Sequence, residues 1–319
     1  MTAPLQSLLV TRIAAEAEGV VSVELRHPQG AELPAWEPGA HVDLYLPSGL
    51  VRQYSLCSDP EDRTRYRVAV LRVADGRGGS IEVHDTGLAG RELKVVGPRN
   101  HFPLGTAENY LLIAGGIGVT PLLAMARQLT KRRRRWSMIY GGRTRASMAF
   151  TAELAELGGP VDIVPEDEHG LPDLAAAIRG CPRGTAVYCC GPEPMLQAAQ
   201  SLCTEHLPAG ALHIERFGAA AADSVGPAGG DQEIEVELAR SGHVLTVTAN
   251  RSVLDAVLDV LPGTPYSCRE GYCGTCEVTV LDGAPEHRDD VLTDGERASG
   301  ETMMICVSRA KSVRLVLDL

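Results

Sequence analysis

Hydrophobic and polar residues alternate in short runs over the first hundred or so positions of the chain. Examples are the runs VVSVELRHP, HVDLYLPSG, YRVAVLRVAD and RELKVVGPRNHFPL, which Gly and Pro separate from one another. Alternation with a period of two predicts strands with one buried face, and frequent turn residues indicate that neighbouring strands run antiparallel. Residues 1–105 are therefore predicted to form an antiparallel β-barrel or sandwich.

The pattern changes after residue 105. Five apolar runs are predicted strands, namely NYLLIAGGIG, WSMIYGGR, VDIVPED, GTAVYCCG and ALHIERF. Between them, four segments have helical spacing, namely TPLLAMARQLTKR, SMAFTAELAEL, LPDLAAAIRG and EPMLQAAQSLCTEH. Strands that alternate with helices predict a parallel sheet covered by helices on both faces, over residues 106–218.

A segment of small and turn-forming residues follows and predicts a linker over residues 219–231. Beyond it, QEIEVELARSGHVLTVTAN contains two alternating runs joined by RSGH, which predicts a hairpin. SVLDAVLDVL is a predicted helix with Ser252 as its N-cap, and CEVTVLDG and SVRLVLDL are predicted strands. Residues 232–319 are therefore predicted to form a small α+β domain.

Composition narrows the class of protein. The chain has 319 residues, 44% of them hydrophobic and 22% charged, which is typical of a globular protein with two or three domains. The net charge of −11 argues against nucleic acid or an anionic membrane as a partner. The N-terminus lacks the pattern of a signal peptide, and Gly and a Thr-Pro pair interrupt the apolar stretch 110–126, so we expect a cytoplasmic protein.

One basic run, KRRRR at 131–135, would indicate a nucleic-acid patch in isolation. It follows a predicted helix, however, where cations complement the C-terminal end of the helix dipole. The preferred interpretation is therefore a helix end.

Three cysteines lie close together in SCREGYCGTCE, at Cys268, Cys273 and Cys276, and Cys306 lies downstream. The spacing C-x4-C-x2-C-x29-C is typical of a plant-type [2Fe–2S] site. Structural zinc sites usually pair two C-x2-C knuckles, and the sequence has no second one here, so zinc or unligated cysteines are the weaker alternatives. Four further cysteines are predicted to be small buried side chains, namely Cys57, Cys181, Cys189 and Cys203.

Two strand ends carry glycine. AGGIGVTPL at 114–122 follows a strand and opens a helix, where backbone N–H groups can hold a phosphate or dinucleotide. Pro121 replaces the third glycine of the usual fingerprint, so a tight packing turn is the alternative. CCGPEPML at 189–196 is a second such strand end at the same edge of the predicted sheet, which favours nucleotide binding.

The first domain contains a run of a cation, an aromatic ring and hydroxyls, RQYSLCS at 52–58. Arg52 could pair with a phosphate, Tyr54 could pack against a flat ring, and Ser55 could hydrogen-bond to that ring. GRGGS at 76–80 offers N–H donors and a hydroxyl for the same phosphate. Ordinary strand surface is the alternative interpretation.

Nine motifs occur together in a specific order: RQYSL, GRGGS, PRNHFPL, AGGIGVTPL, YCCGPEPM, IERF, SCREGYCGTCEVTVLDG, EHRDDVLT and CVSRA. In these motifs the chain resembles the phthalate dioxygenase reductase family over essentially its whole length. The resemblance implies an antiparallel β-barrel flavin domain (1–105), an α/β parallel-sheet nicotinamide domain of the ferredoxin-reductase type (106–218), the linker (219–231), and a C-terminal α+β β-grasp ferredoxin domain of the plant type (232–319).

The same resemblance implies roles for single residues. The site of hydride transfer would contain Ser55, Thr120, Cys190, Glu215 and Phe217, with Cys190 as a positioning group and not a nucleophile. FMN would contact Arg52, Tyr54, Ser55, Ala69, Val70, Leu71, Gly78, Gly79, Ser80 and Phe217. The dinucleotide would contact Gly116, Gly118, Thr120, Arg143, Cys190, Gly191, Pro192 and Met195. The iron ligands would be Cys268, Cys273, Cys276 and Cys306.

The implied activity is electron transfer from NADH through FMN and a [2Fe–2S] cluster to a separate terminal oxygenase of the Rieske type that acts on aromatic compounds. NADPH is less expected, although Arg143 and Arg145 could meet a 2′-phosphate, because the segment PEDE at 165–168 is acidic. A reductase for a cytochrome P450 and an interaction module with a vestigial nucleotide domain are the alternatives. Residues 232–319 have a net charge of −7, which favours docking of this domain to a basic oxygenase surface, with ordinary acidic solubility as the other explanation.

Overall fold

The computed structural model describes residues 4–74, 76, 78–217, 231–266, 268–269, 271, 274–289 and 291–319. The chain divides into a first unit, Met1–Phe217, and a second unit, Gly218–Leu319. The predicted linker at 219–231 lies outside the described residues except for Asp231. Within the described residues, no helix is both long enough and apolar enough to cross a membrane.

An antiparallel sheet occupies the start of the first unit. Its described strands are β1 (Leu5–Ala17), β2 (Val20–Arg26), β3 (Ala40–Tyr45), β4 (Val51–Ser55), β5 (Tyr66–Leu71) and β6 (Glu92–Asn100). They lie in the order β4-β3-β6-β1-β2-β5, and Leu56, just after β4, bridges Val68 of β5. This bridge joins the two edge strands, which confirms the predicted β-barrel.

Two elements of the barrel were not predicted. The first is β1, the 13-residue strand LQSLLVTRIAAEA that pairs with both β2 and β6. The second is helix α1 (Gly79–Asp85), which begins inside the predicted GRGGS loop. Gly78 precedes this helix with φ of 80°, a left-handed conformation that favours glycine.

A parallel sheet forms the rest of the first unit. Its strands are β7 (Asn109–Gly115), β8 (Arg135–Gly142), β9 (Val161–Pro165), β10 (Thr185–Cys190) and β11 (Leu212–Glu215). The helices are α2 (Val119–Lys131), α3 (Thr151–Glu156), α4 (Glu166–His169), α5 (Leu174–Arg179) and α6 (Glu193–His206). The strand order is β11-β10-β7-β8-β9, so the direction of winding reverses between β7 and β10. Open α/β sheets bind ligands at such a switch point, on the carboxyl side of the strands.

The predicted helix SMAFTAELAEL is shorter than expected. A single 3-10 turn covers Arg145–Ser147, and α3 starts only at Thr151. Phe150, which lies between them, has φ of 63°, a left-handed conformation that a continuous helix cannot contain. The end of the predicted strand VDIVPED is also different, because α4 takes over from Glu166.

The basic run behaves as predicted. Helix α2 ends at Lys131, the first residue of KRRRR. The Nζ of Lys131 donates to Asp59 at 3.0 and 2.9 Å and to Glu61 at 2.8 Å. Residues 132–134 connect α2 to β8, which begins at Arg135, so the run is a helix end.

The second unit is an α+β domain built on a mixed sheet. Its described strands are β12 (Ile234–Leu238), β13 (His243–Val247), β14 (Glu277–Asp282), β15 (Pro285–Glu286), β16 (Thr302–Met304), β17 (Arg309–Ala310) and β18 (Arg314–Leu317), with helices α7 (Val253–Val260) and α8 (Asp294–Ser299). The larger sheet has the order β13-β12-β18-β14-β16, with β18 in the centre and parallel to β12. This arrangement confirms the predicted class, and the predicted β12–β13 hairpin is present.

The predicted N-cap of α7 is also present, since the Ser252 hydroxyl accepts a hydrogen bond from the N–H of Asp255 at 3.0 Å. Helix α8 was not predicted. Thr293 and Glu296 form a reciprocal capping box at its start. The spacing T-x-x-E is a known signal for a helix start and could have revealed this helix.

Candidate functional site

Three strand ends meet at the carboxyl edge of the parallel sheet. Cys190 at the end of β10 lies opposite Ala114 of β7 on one side and opposite Glu215 of β11 on the other. Parallel pairing places these ends at one level. The edge therefore brings Cys190 and Glu215 together, although 25 positions separate them in the sequence.

The glycines of the two strand-end motifs allow their backbones to touch. A Cβ added at Gly118 would lie 2.2 Å from the carbonyl oxygen of Cys190. A Cβ added at Gly191 would lie 3.0 Å from the Cα of Gly115. Real Cβ atoms essentially never approach backbone as closely as 2.2 Å, so Gly118 requires glycine for packing reasons, and at Gly191 a side chain would be unusually tight. The backbones of the two loops lie directly against each other here, and we call this contact the glycine strip.

Other predicted nucleotide residues surround this strip. The sulfur of Met195 lies 2.9 Å from the Cβ position of Gly115, and Pro192 Cδ lies 2.5 Å from it. Gly116 has open space around it, so packing does not require glycine there. Its φ of 53°, a left-handed conformation, is what favours glycine at this position. The Thr120 hydroxyl donates to the carbonyl of Ile117 at 3.0 Å and is buried. This hydrogen bond closes the turn and leaves the predicted catalytic role of Thr120 a prediction.

A hydrogen bond connects the barrel to the edge of the parallel sheet. The Ser55 hydroxyl at the end of β4 donates to Oε2 of Glu215 at 3.4 Å. Burial raises the pKa of Glu215 to about 8, against the lowering effect of this hydrogen bond. The carboxyl group is therefore largely protonated at neutral pH and can exchange a proton there.

The thiol of Cys190 lies beside this carboxyl group. Burial, with smaller contributions from Glu215 and Cys189, raises the pKa of the Cys190 thiol well above its ordinary value. A fully buried thiol with a raised pKa is a poor nucleophile, because the thiolate is the reactive form. This favours the predicted role of Cys190 as a positioning group.

Phe217 is the last described residue of the first unit, two positions after Glu215. Its side chain is 41% exposed, unusual for a large apolar residue. Its predicted contact with a flavin ring is compatible with this exposure and remains a prediction.

The two motifs of the predicted flavin phosphate site lie together. The Nε and Cγ atoms of Arg52 lie 2.5 and 2.6 Å from the Cβ position of Gly79, so only glycine allows the arginine to cross there. The Ser80 hydroxyl accepts the N–H of Val73 at 3.1 Å. Arg77 lies outside the described residues. Arg52, Gly78, Gly79 and Ser80 therefore form one local group, as the motifs predicted.

Tyr54 and β5 complete the predicted flavin residues. Burial raises the pKa of Tyr54, and its ring packs against the barrel core. Ala69 and Val70 are buried, whereas Leu71 is 37% exposed. The carbonyl of Val70 lies 2.9 Å from Nε2 of His84, a residue of α1 that sequence reasoning missed. This contact fixes α1 against β5.

The predicted ribose region contains an ion pair. Arg145 binds Glu168 in two places, with Nε–Oε1 at 3.0 Å and Nη2–Oε2 at 2.7 Å. The carbonyl of Arg143 accepts the N–H of Asp167 at 3.2 Å. An arginine already paired with a carboxylate is a weaker receptor for a 2′-phosphate, which favours NADH.

The cysteine region is compact and buried. Cys268, Cys276 and Cys306 are 3%, 3% and 7% exposed, and Cys273 lies outside the described residues. The N–H of Ile305 donates to the carbonyl of Cys276 at 3.3 Å, which ties the end of the loop to the segment that carries Cys306. Interaction with Cys268 lowers the pKa of the Cys306 thiol, but Cys276 and burial raise it further, so the net direction is upward.

Buried thiols that lie this close together are typical of a site that binds a positively charged metal cluster. Without such a positive charge, neighbouring thiolates would repel one another. Gly271 has φ of 77° and Gly274 has φ of 72°, conformations that let the loop turn around a bound group. The described part of the loop therefore fits a [2Fe–2S] cluster with these three cysteines as ligands.

The buried carboxylate of Asp289 packs against the cysteine loop, and the sequence analysis gave this residue no role. Asp289 is 2% exposed and accepts hydrogen bonds from the N–H of Leu292 at 2.9 Å and from the Ser308 hydroxyl at 3.2 Å. Its Cα lies 3.1 Å from the Cβ position of Gly271. Asp289 thus touches the cysteine loop and the segment just after Cys306. The motif EHRDDVLT was the signal that could have identified it.

The other cysteines mostly match their prediction. Cys57, Cys189 and Cys203 are buried, whereas Cys181 is partly exposed. Cys181 lines a cavity of about 550 Å³ at the amino end of the parallel sheet, together with residues such as Asn109, Trp136 and Thr185. The predicted site residues lie at the opposite, carboxyl edge, so this cavity is separate from the candidate site.

Comparison with known proteins identifies the family. Residues 236–311 match the family described as a 2Fe-2S iron-sulfur cluster binding domain, and residues 101–208 match the N-terminal domain of dimethylamine monooxygenase subunit DmmA-like proteins. Phthalate dioxygenase reductase of Burkholderia cepacia is 40% identical over 309 residues, covering 95% of this chain and 94% of that protein. This chain belongs to the phthalate dioxygenase reductase family.

Solved structures agree with this family assignment. The crystallographic phthalate dioxygenase reductase, described as a modular structure for electron transfer from pyridine nucleotides to [2Fe-2S], has a TM-score of 0.72 and 39% identity, covering 99% of this chain and 98% of that one. An intact type IV self-sufficient cytochrome P450 monooxygenase has a TM-score of 0.90 and 41% identity, covering 99% of this chain. This chain spans 41% of that longer P450 chain.

The residues present fit the groups that a phthalate dioxygenase reductase uses. The glycine strip lies at the carboxyl edge, where open α/β sheets bind ligands, and Gly116 beside it has open space for a dinucleotide. The Arg52–Gly79 crossing offers a guanidinium beside glycine backbone for a flavin phosphate. The buried thiols supply sulfur ligands for the cluster. The assignment of each residue to its group remains a prediction.

Proposed function

We infer that this protein is the reductase component of a two-component oxygenase system, and that it carries electrons from NADH through FMN and a [2Fe–2S] cluster to a separate oxygenase. The observation that carries this inference is the Ser55–Glu215 hydrogen bond beside Cys190, which joins the barrel to the nucleotide edge of the sheet, in a chain that also contains the cysteine domain. Membership of the phthalate dioxygenase reductase family supports the same function.

The first unit binds and orients the reactants. The loops that carry Gly115, Gly118 and Gly191 would hold the dinucleotide at the switch point, where open α/β sheets bind ligands, and Gly116 has open space beside its backbone. Arg52 holds the flavin phosphate in the barrel. A bound flavin supplies the exchange between the two-electron chemistry of NADH and the one-electron chemistry of the cluster.

The polar residues at the edge control protons and polarity. Ser55 donates to Glu215, whose pKa of about 8 lets this carboxyl group hold or release a proton near neutral pH. The Cys190 thiol, with its raised pKa, keeps the contact region uncharged. Neither group needs to act as a nucleophile, since hydride transfer depends mainly on the positions of the reactants.

The second unit carries the electrons away. The predicted ligand set is four cysteines, whereas a Rieske centre requires two histidines on one iron. The oxygenase chemistry therefore belongs to a separate protein, and this chain does not need a site for the organic substrate.

The acidic second unit is the proposed docking surface for that oxygenase. Residues 232–319 have a net charge of −7. Glu277 is exposed and directly follows Cys276, so it places a negative charge beside the proposed cluster. Opposite charges on two proteins accelerate their encounter, and salt weakens this effect.

The test is an anaerobic reduction followed by mixing with an acceptor. Purified protein is expected to show flavin and iron–sulfur absorption that NADH bleaches, and to reduce a Rieske-type aromatic oxygenase faster than a cytochrome P450. Colourless protein, or protein that reduces only the P450, would contradict the proposed function.

A substitution in the second unit tests the proposed docking surface. Glu277→Gln is expected to lower the rate of electron transfer to the oxygenase about 2- to 5-fold at low salt and less at high salt, with reduction by NADH unchanged. Glu18→Gln, an exposed change in the first unit, is the matched control and is expected to have no effect. Equal rates for both variants at low salt would argue against docking through this surface.

A further inference from the structure

A partly buried ion-pair cluster joins the barrel to the parallel sheet within the first unit. Arg67 of β5 binds Glu153 of α3 in two places, with Nη1–Oε1 at 2.7 Å and Nη2–Oε2 at 2.8 Å. Arg127 of α2 donates to Oε2 of the same carboxylate. The side chains of Arg67, Arg127 and Glu153 are 14%, 23% and 28% exposed, so all three are mostly removed from water.

The geometry of the cluster makes it strong. Two parallel hydrogen bonds between a guanidinium and a carboxylate are directional as well as charged, and solvent screens them little when they are buried. Interaction with Arg67 and Arg127 lowers the pKa of Glu153, against the raising effect of burial. Glu153 is therefore ionised at neutral pH and holds both arginines.

Phe150 fixes the orientation of Glu153. The guanidinium carbon of Arg67 lies 4.9 Å from the centre of the Phe150 ring. Phe150 is 4% exposed and has a φ of 63°, which non-glycine residues adopt only when the surrounding structure holds them. Because Phe150 immediately precedes α3, this conformation sets where the helix starts and directs Glu153 towards the barrel.

Arg67 is in turn connected to the reacting edge. The N–H of Cys57 donates to the carbonyl of Arg67 at 2.8 Å, and Nη2 of Arg67 donates to the carbonyl of Cys57 at 3.2 Å. Cys57 is two residues from Ser55, whose hydroxyl reaches Glu215. Arg67 is also two residues from Ala69, in the strand predicted to meet the flavin ring. Fixing Arg67 therefore fixes Ser55 and the middle of β5 together.

Two of the polar contacts between barrel and sheet differ in strength. The Ser55–Glu215 hydrogen bond is long, at 3.4 Å, whereas the Arg67–Glu153 contacts are short and charged. A long hydrogen bond cannot hold two sheets in register by itself. The charged cluster adds short, directional contacts to the buried apolar core that the barrel and the sheet share, and it acts through backbone contacts two residues away.

We propose that Glu153 is a positioning residue for electron input, holding Ser55 and β5 of the barrel in register with Cys190 and Glu215 of the parallel sheet through Arg67. The inference rests on the proposed function, because it assigns Glu153 to the step in which NADH reduces the flavin. It adds a residue that none of the sequence motifs contains.

The experiment compares matched variants of the full-length protein loaded with flavin and cluster. Glu153→Gln keeps the shape of the side chain and removes its charge. It is expected to lower the rate of flavin reduction by NADH about 10- to 100-fold in stopped flow, since a displacement of about 1 Å at a reacting site can cost roughly this much. The apparent dissociation constant for NADH is expected to change less than about threefold, because the glycine strip is untouched.

Two further readouts separate positioning from general stability. The primary deuterium isotope effect on flavin reduction is expected to change in Glu153→Gln, because it reports the geometry of the reacting atoms. Glu153→Asp, which restores the charge on a shorter side chain, is expected to recover part of the lost rate. Flavin content and the cluster spectrum are expected to match those of the parent protein.

Asp85→Asn is the control. It breaks the Arg72–Asp85 pair, which has a similar distance of 2.9 Å but lies within the barrel region and is 41% and 52% exposed. This variant is expected to keep the reduction rate within about twofold of the parent. If Glu153→Gln fails to fold, Arg127→Gln serves instead, because it leaves the two-point pair with Arg67 intact and is expected to give a smaller loss in the same direction.

The outcomes are distinct. If the parent protein is not reduced by NADH, the proposed function fails. If the parent is reduced and Glu153→Gln shows an unchanged rate and isotope effect, even with lower thermal stability, the cluster is only structural and the positioning role is wrong.

Discussion

The carboxyl edge of the parallel sheet and the cysteine loop of the second unit are built in different ways. At the edge, backbone meets backbone, because glycine at 118 and 191 removes every atom that would separate the loops. At the cysteine loop, a side chain holds the segments together. The carboxylate of Asp289 accepts hydrogen bonds from Leu292 and Ser308, and the Asp289 backbone lies against Gly271. The edge therefore depends on excluded volume, whereas the loop depends on ligands and buried hydrogen bonds.

The difference predicts how each region fails. An added methyl group should damage the edge, and the loss of a sulfur ligand should damage the loop. Each change should leave the other region intact, because the two sites lie in separate units of the chain.

The largest expected effect is the loss of a cluster ligand. Cys306→Ser is expected to lower bound iron and cluster absorption at least about 10-fold, because a hydroxyl is a poor substitute for a thiolate on iron. NADH-driven reduction of an artificial dye by the flavin should stay within about twofold. Cys203→Ser, a buried cysteine of the first unit, is the control and should leave the cluster unchanged. An intact cluster spectrum in Cys306→Ser would contradict the ligand assignment.

The next effect is at the edge. Gly118→Ala places a Cβ 2.2 Å from the Cys190 carbonyl, and since Gly118 has an ordinary helical φ of −62°, the clash alone is responsible. We expect a loss of about 2–3 kcal/mol in the free energy of unfolding of the first unit and a drop in dye reduction of at least about 10-fold. Calorimetry and steady-state kinetics measure these quantities.

Gly263→Ala is the matched control, because nothing lies within 4 Å of its Cβ position. It should leave both activity and stability unchanged. Retention of full activity in Gly118→Ala would mean that the two loops can separate at little cost.

The smallest effect is a pH dependence at the edge. The pKa of Glu215 is raised to about 8 in the folded protein, from 4.5. The folded state therefore keeps its proton to a higher pH than the unfolded state, and the associated stabilisation is complete below pH 4.5 and is lost as the pH rises through about 8.

Glu215→Gln should remove this dependence. Relative to the variant, the parent is expected to lose stability steadily between about pH 5 and about pH 8.5, measured by chemical denaturation across that range. If the free energy of unfolding depended on pH in the same way in both proteins, the pKa of Glu215 would not be raised by folding.

Much of the fold could be predicted from local patterns. Alternation in the barrel and the strand–helix repeat each depend on neighbouring residues, and the described structure agrees with them. The prediction of α7 with Ser252 as its cap succeeded for the same reason. These features are encoded within a few turns or strands of the chain.

The features that the sequence analysis predicted wrongly or missed depend on contacts between residues that are distant in the sequence. The helix predicted at SMAFTAELAEL is broken at Phe150, whose conformation goes with its packing under Arg67, more than 80 positions away. The Arg67–Glu153 pair spans 86 positions and leaves no periodic signal. In the sequence HRDD, nothing distinguishes Asp289 from an exposed acidic residue, whereas in the fold it is buried against the cysteine loop. Site residues that act through partners are therefore the ones that sequence reasoning misses.

The position of β18 has a consequence for biosynthesis. This strand lies in the middle of the sheet of the second unit, between β12 and β14, yet it follows both of them in the chain. Domains generally fold as units, N-terminal first, as they emerge during synthesis. The first unit can thus mature while the second is still being translated, and its sheet stays split until residues 314–317 have been made. We therefore expect the cluster to be assembled only after the whole second unit has been synthesised.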